Sequence, residues 1–298
     1  MISGNVPNHL VAGARSGFLR AVRERPFQRQ SIAMEIPMDG KTIDLVDLGS
    51  APMPKNSPTG ATIQDMIERH LEMTPKDWDI TVWISHNAVE DDRIGNLWTR
   101  VQQAGQNFQK HMDKLAFQAL NAGDGSTYGL CYDGQYFFDT DHVDAGALYD
   151  TDQSNVGSAT LSFETFNTAM TSAMQFVDDM GEYNEFVYNL LVTSPALANQ
   201  AAQLTRNPNE YDSADRNINP WAGQLTGIIN PNMDSTAWVL VASSEIVKPI
   251  IIGMREQPSL QHAWFDPTAP DGGRYYFKFF ARYTVGYGDW RLAYMGNS

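Results

Sequence analysis

A single cysteine, Cys131, stands among 298 residues, so no intrachain disulfide can form and folding needs no oxidising compartment. No apolar run approaches the ~18 residues that cross a bilayer, so no membrane span is expected. The opening MISGNVPNHLVAGARSGF lacks an apolar core of signal-peptide length, and export by the usual route is not expected either. Glycine-rich loops of the GxGxxG or GxxxxGK type are missing, and with them the usual sign of nucleotide binding. Lys and Arg are absent between Lys114 and Arg206, an interval that holds twelve acids. The net charge of -14 is therefore uneven, because residues 1 to 30 carry Arg15, Arg20, Arg23, Arg25 and Arg29 against Glu24 alone. A basic arm on an acidic body suits nucleic-acid phosphate or a neighbouring copy, while acidic surface also keeps a protein soluble.

The 42% of hydrophobic residues, with seven Trp, twelve Tyr and fourteen Phe, is a globular composition that can fill one large core or two modest ones. Residues 1 to 30 read as an arm with one short helix near 14 to 24. A turn at Asp39-Gly40 precedes the strand-like KTIDLVDL, and APMPKNSPTGA, 51 to 61, has the three prolines of an exposed loop. The alternation of Trp78, Ile80, Val82 and Ile84 marks a returning strand with one apolar face. Together these segments predict a two-stranded excursion. Such a ribbon has too little to bury by itself, so its apolar row is expected to pack on another chain.

Residues 94 to 122 are the clearest helix, since Leu97, Val101, Ala104, Phe108, Met112, Leu115 and Ala119 recur at spacings of three and four. At 1.5 Å per residue the element is roughly 40 Å long, the length of a strut. His111 sits beside the stripe without a second ligand one turn on, and reads as a boundary residue. A second helix starts at Ser162, uses Phe163, Phe166, Met170, Ala173, Met174 and Val177 as its apolar face, and is expected to stop at Asp178-Asp179 and Gly181. Tyr188 to Val192 reads as a core strand, followed by a helix that Thr193 or Ser194 caps with Pro195 in its first turn. After a polar loop at 205 to 221, residues 225 to 231 and 236 to 243 read as a strand pair. Further strands come from VKPIIIGMREQP, GRYYFKFFARYTVGYG and DWRLAYMGN, with a loop at WFDPTAPDGG. Interleaved helices and strands without an internal repeat indicate an α+β fold.

The stretch YDGQYFFDTDHVD, 132 to 144, gathers Asp139, Asp141, His142 and Asp144, all possible metal ligands. A calcium loop places a Gly inside its acidic run and closes on Glu, whereas this run passes into Ala145, Gly146 and Ala147. Zinc would have to recruit Cys131 from beyond the Phe137-Phe138 pair. The reading is a structural turn built on Asp133, Gly134, Phe137, Phe138, Asp139, Asp141 and His142, with no metal and no cofactor. Catalytic signals are weak. Ser85 and His86 adjoin on a strand and point to opposite faces, Cys131 has no base at a recognisable spacing, and Glu90-Asp91-Asp92 reads as a charged lead into the long helix. No catalytic residue is assigned, and the chain is not expected to be an enzyme.

The order of these parts resembles the major head (capsid) protein of Mu-like transposable phages, a likeness over roughly residues 5 to 295. Three places carry it: DGQYFFDTDH at 133 to 142, LLVTSPALANQAAQL at 190 to 204 and VKPIIIGMREQP at 247 to 258. Position 143 is Val where that family usually has Pro. The resemblance implies the tailed-phage capsid fold (HK97-like). Its N-terminal arm would be 1 to 32, its extended loop 33 to 88, and its peripheral domain 89 to 185 and 245 to 298, including a spine helix at 94 to 122. The axial domain would be 186 to 244. It also implies a homo-oligomer of hexamers and pentamers that encloses double-stranded DNA without specific contacts and is assembled in the host cytoplasm into the virion. Scaffold, portal and decoration proteins are the possible partners, and no membrane is involved. Inter-subunit contacts are expected from Arg15, Arg20, Arg23, Arg25 and Arg29 and from Trp78, Ile80, Val82 and Ile84. Lys55 lies at the loop tip, but no partner Asn matches it as a crosslink. The competing readings are another phage component, tail or portal-associated, and a hydrolase.

Overall fold

Two sheets and a layer of helices grow from segments whose apolar periodicity is plain, but several of their partners lie far away in sequence. The computed structural model describes residues 6–24, 27–40, 73–91, 95–143, 151–178, 181–209, 218–270 and 272–297. Helix α1, Asn8–Glu24, is longer than expected, because the Pro7 carbonyl accepts the Leu10 and Val11 amides and closes a turn well before residue 14. It buries Leu10, Val11, Ala14, Phe18 and Ala21 on one side. Strands β1, Ala33–Pro37, and β2, Lys76–Ser85, follow, then the short α2, His86–Glu90, and α3, Gly95–Asn121. Helix α3 is the predicted strut. Beyond it come β3, Val156–Gly157; α4, Phe163–Met174; β4, Leu190–Thr193; α5, Ala198–Arg206; β5, Thr226–Ile229; and β6, Trp238–Val241. The chain ends with β7, Ile250–Asp266, β8, Arg274–Tyr287, and β9, Ala293–Gly296.

The first sheet has the order β1-β7-β8-β2 and the second β3-β9-β6-β4-β5. One continuous apolar core runs between them and the helices. The long β7–β8 hairpin gives β2 a partner inside this chain. All ten residues of β2 pair antiparallel with β8, from Lys76 opposite Tyr283 to Ser85 opposite Arg274, and β1 pairs parallel with β7. Val82 and Ile84 are buried inside this chain, and Trp78 and Ile80 pack half-buried on the same core. Their apolar alternation is thus accounted for by an in-chain partner some two hundred residues away, which local pattern does not reveal. KTIDLVDL and Lys55 lie outside the described residues.

Other expectations shift in detail. Residues 225 to 231 and 236 to 243 are not each other's partners, since β4 lies between β5 and β6, parallel to one and antiparallel to the other. Ser162 starts α4 with a reciprocal capping box to Thr165, as its position predicts. The helix ends at Met174, before Asp178, because Phe176 and Val177 turn into the core. Ser194 spends its hydroxyl on the Ser235 carbonyl rather than on a helix amide, and Pro195 opens a 3-10 turn ahead of α5. The second sheet also takes up β3 and β9, so its limits do not coincide with the 186 to 244 segment.

Helix α1 crosses α3 closely where α3 carries glycine. A Cβ on Gly105 would lie 2.8 Å from the Phe18 carbonyl oxygen, a backbone atom that cannot swing away. Gly105→Val is therefore expected to cost about 1–3 kcal/mol through overpacking. Thermal unfolding checks this, and an unchanged midpoint would show that the helices can separate freely.

Candidate functional site

Residues 132–143 fold as a tight turn at the C-terminal end of α3. Gly134 has a φ of +84°, a left-handed conformation suited to glycine, and its amide donates to the Cys131 carbonyl while the Cys131 amide donates to Gln135. The turn thrusts both phenylalanines into the core. Phe137 stacks on Tyr287 at 4.8 Å, and the Phe138 amide donates to the Gly123 carbonyl. The Tyr287 hydroxyl in turn donates to the Ala119 and Ala122 carbonyls, which joins the turn to the last turn of the strut.

His142 closes the segment from inside. Its ring stacks on Trp290 at 4.1 Å, nearly parallel, while Nδ1 lies 2.6 Å from Asp133 Oδ2 and Nε2 lies 3.2 Å from Asn155 Oδ1. The Asn155 amide nitrogen already donates to the Phe137 and Trp290 carbonyls. Its oxygen is therefore the acceptor, and His142 Nε2 is the donor. Both ring nitrogens are committed to structure. The Asp133 side chain is fully buried beside this ring. Asp139 captures the Tyr136 and Thr140 amides, and Asp141 is exposed. A hydrogen bond that the protonated Asp141 carboxyl donates to Asp139, then desolvation and the nearby charges of Asp139 and Asp152, raise the Asp141 pKa above the ordinary carboxylate value. Among the described residues no group of three or more His, Cys, Asp or Glu is placed to hold a metal ion; Asp144 lies outside them.

The basic arm divides in two. Arg29 is buried against its own chain, with Nη2 2.6 Å from Glu35 and 2.7 Å from Gln109, Nη1 3.0 Å from Asp113, and its guanidinium over the Phe27 ring. It is an internal anchor, which corrects its placement among the inter-subunit contacts. Arg15, Arg20 and Arg23 are exposed on α1, Arg20 paired with Glu24, and Arg25 lies outside the described residues. The other candidates have local duties. Ser85 accepts the Ala88 amide as the cap of α2, and the His86 ring stacks on Tyr275. Glu90 and Asp91 end α2 rather than leading directly into α3, and Asp92 is outside the described residues. His111 bonds the Tyr283 hydroxyl at 2.7 Å and packs on Trp78, and burial lowers its pKa. Cys131 is buried, and burial followed by the charges of Asp133 and Asp289 pushes its thiol pKa well up, the opposite of an activated nucleophile.

Sequence reading missed Asn155 and Trp290, the partners of His142, and Gln109 and Asp113, the partners of Arg29. The only local signal for the latter pair was an amide and an acid four apart on α3 with one face turned inward.

Among the described residues these side chains serve packing and internal hydrogen bonding. The sequence profile of the family described as Mu-like prophage major head subunit gpT matches residues 8–162 and 228–298. The Mu-like prophage FluMu major head subunit of Haemophilus influenzae is 28% identical over 151 residues, 51% of this chain and 48% of that protein. The major capsid protein of Escherichia phage Mu is 32% identical over 133 residues, 45% of this chain and 43% of that protein. The matched region thus spans about half the length of these relatives. Among solved structures, the procapsid of bacteriophage JBD30 aligns with a TM-score of 0.57 at 23% identity, covering 98% of this chain and 76% of that one. The virus-like particle from Pyrococcus furiosus aligns with a TM-score of 0.54 at 12% identity, covering 96% of this chain and 98% of that one. These likenesses establish the fold, that of phage capsid subunits. With the family profile running through α1, α3, the 132–144 turn and the closing strands, the chain belongs to the Mu-like prophage major head subunit family.

Proposed function

We propose that this chain is the subunit of an icosahedral head shell that encloses double-stranded phage DNA, built from hexamers and pentamers and assembled in the host cytoplasm. The observation that carries the reading is the match of the family profile to both ends of the chain, on a fold shared with capsid subunits. Assembly of identical subunits through unlike surfaces closes into rings, the geometry a capsomer needs. In this reading α1 belongs to the arm, α3 is the spine of the peripheral domain, and β4 to β6 form the centre of the axial domain. The segment 33 to 88 is the extended loop, anchored to the first sheet by β1 and β2. Its work is structural, and the committed ring of His142 and the unreactive Cys131 fit that role.

Negative-stain microscopy tests the proposal on the full chain expressed alone and together with the other head proteins of its phage. Closed shells with capsomer-sized bumps are expected. A protein that stays monomeric at high concentration in both arms would overturn it.

A further inference from the structure

The solvent side of the α1–α3 layer has the opposite charge to the chain as a whole. Strand β8 fixes its orientation, because Phe279, Tyr283 and Tyr287 lie on one face and meet Phe18 of α1, His111 of α3 and the Ala119 carbonyl of α3. Both helices therefore cover the same face of the first sheet and turn their far sides outward. On α1 the outward residues include Arg15, Arg20 and Arg23. On α3 a stripe with alternating spacings of three and four runs through Arg100, Gln103, Asn107, Lys110 and Lys114, all exposed. The acids on these helices are few. Glu24 is paired with Arg20, and the largely buried Asp113 is held by Arg29. A chain of net charge -14 thus reserves one side of one layer for cations.

We infer that this layer is the DNA-facing wall of the shell and meets the phosphate backbone of double-stranded DNA without reading its sequence. The inference rests on the shell function proposed above and assigns the surface that function leaves open. The stripe from Arg100 to Lys114 is roughly 21 Å long, enough to lie along several phosphates of a duplex. Its Gln and Asn side chains donate to phosphate oxygens as readily as to water. The helices present their sides rather than a protruding end, so backbone is met and base edges are not. The competing occupant is a second copy of the chain, whose Asp124, Asp152, Glu164, Glu182 and Glu185 are exposed, and assembly of the variant without DNA separates the two.

The test uses full-length protein and the combined variant Arg15→Gln, Arg23→Gln, Lys110→Gln and Lys114→Gln. Unassembled subunits are titrated with mixed-sequence duplex DNA over a range of salt. The wild type is expected to show a linear loss of log affinity with log salt, and the variant a slope shallower by up to about 0.9 for each phosphate it no longer neutralises. Binding at low salt should weaken at least about tenfold, while empty shells still form. In wild-type shells Lys110 and Lys114 should be shielded from an amine reagent carried on a polymer too large to enter, and reactive in free subunits. An unchanged slope overturns the inference. So does a variant of unchanged melting temperature that no longer assembles without DNA, which would make the strip a contact with a neighbouring copy. If the wild type forms no shells, the shell function fails separately, and the salt slopes still decide the phosphate contact.

Discussion

Arg29→Ala is expected to lower the stability of the isolated subunit by about 3 kcal/mol, because it strips the partner from a buried ion pair. The guanidinium is 2% exposed and Asp113 15% exposed, so the carboxylate left behind on α3 would remain largely desolvated. Glu35 is 39% exposed and relaxes into water, and its bond to Arg29 adds little to the loss. Gln109 would keep a buried carbonyl oxygen without its donor. For a chain of this size the midpoint of thermal unfolding should fall by roughly 5 °C. Arg29→Lys should recover part of this, since one ammonium cannot satisfy Glu35, Gln109 and Asp113 with the reach of a planar fork. A subunit that melts normally after Arg29→Ala but fails to assemble would show that Arg29 acts between subunits instead.

What the sequence made legible was what repeats locally. The stripe from Leu97 to Ala119 announced α3, and Ser162 announced the start of α4, because a helix face and a cap are written within a few residues. The register of β2 on β8 depends on a partner two hundred residues on, and the row from Trp78 to Ile84 looked unsupported until that partner was in view. The same limit applied to the turn. Phe137 and Phe138 could be assigned to the core from their neighbours alone, but the burial of Asp133 depends on Asn155 and Trp290, which local pattern does not bring near. Arg29 was indistinguishable from the other arginines of the arm because charge composition carries no information about depth.

Phe137→Ala is expected to cost about 3–5 kcal/mol, the range for truncating an aromatic ring in a packed core. The ring is fully buried between Phe138 and Tyr287, and Tyr287 ties the strut to the turn through two carbonyls, so the cavity has no mobile side chain at hand to fill it. Phe138→Ala should follow closely, since that ring covers Gly123 at the end of α3. Asp141→Asn should behave in the opposite way. Asp139 and Asp152 crowd this exposed carboxylate and raise its pKa in the folded chain, so the folded state holds its proton to higher pH than the unfolded state does. Stability contributed by that proton is present at acid pH and is lost as pH rises through the window just above the ordinary carboxylate value. At neutral pH removing the charge should therefore leave the melting temperature unchanged or slightly raised, and the variant should lack the wild type's relative gain on acidification through that window. Melting curves of the three variants at neutral pH and near pH 4 separate these outcomes. A loss for Asp141→Asn comparable with that for Phe137→Ala would mean that the acidic edge of the turn, rather than its aromatic interior, holds the segment in place.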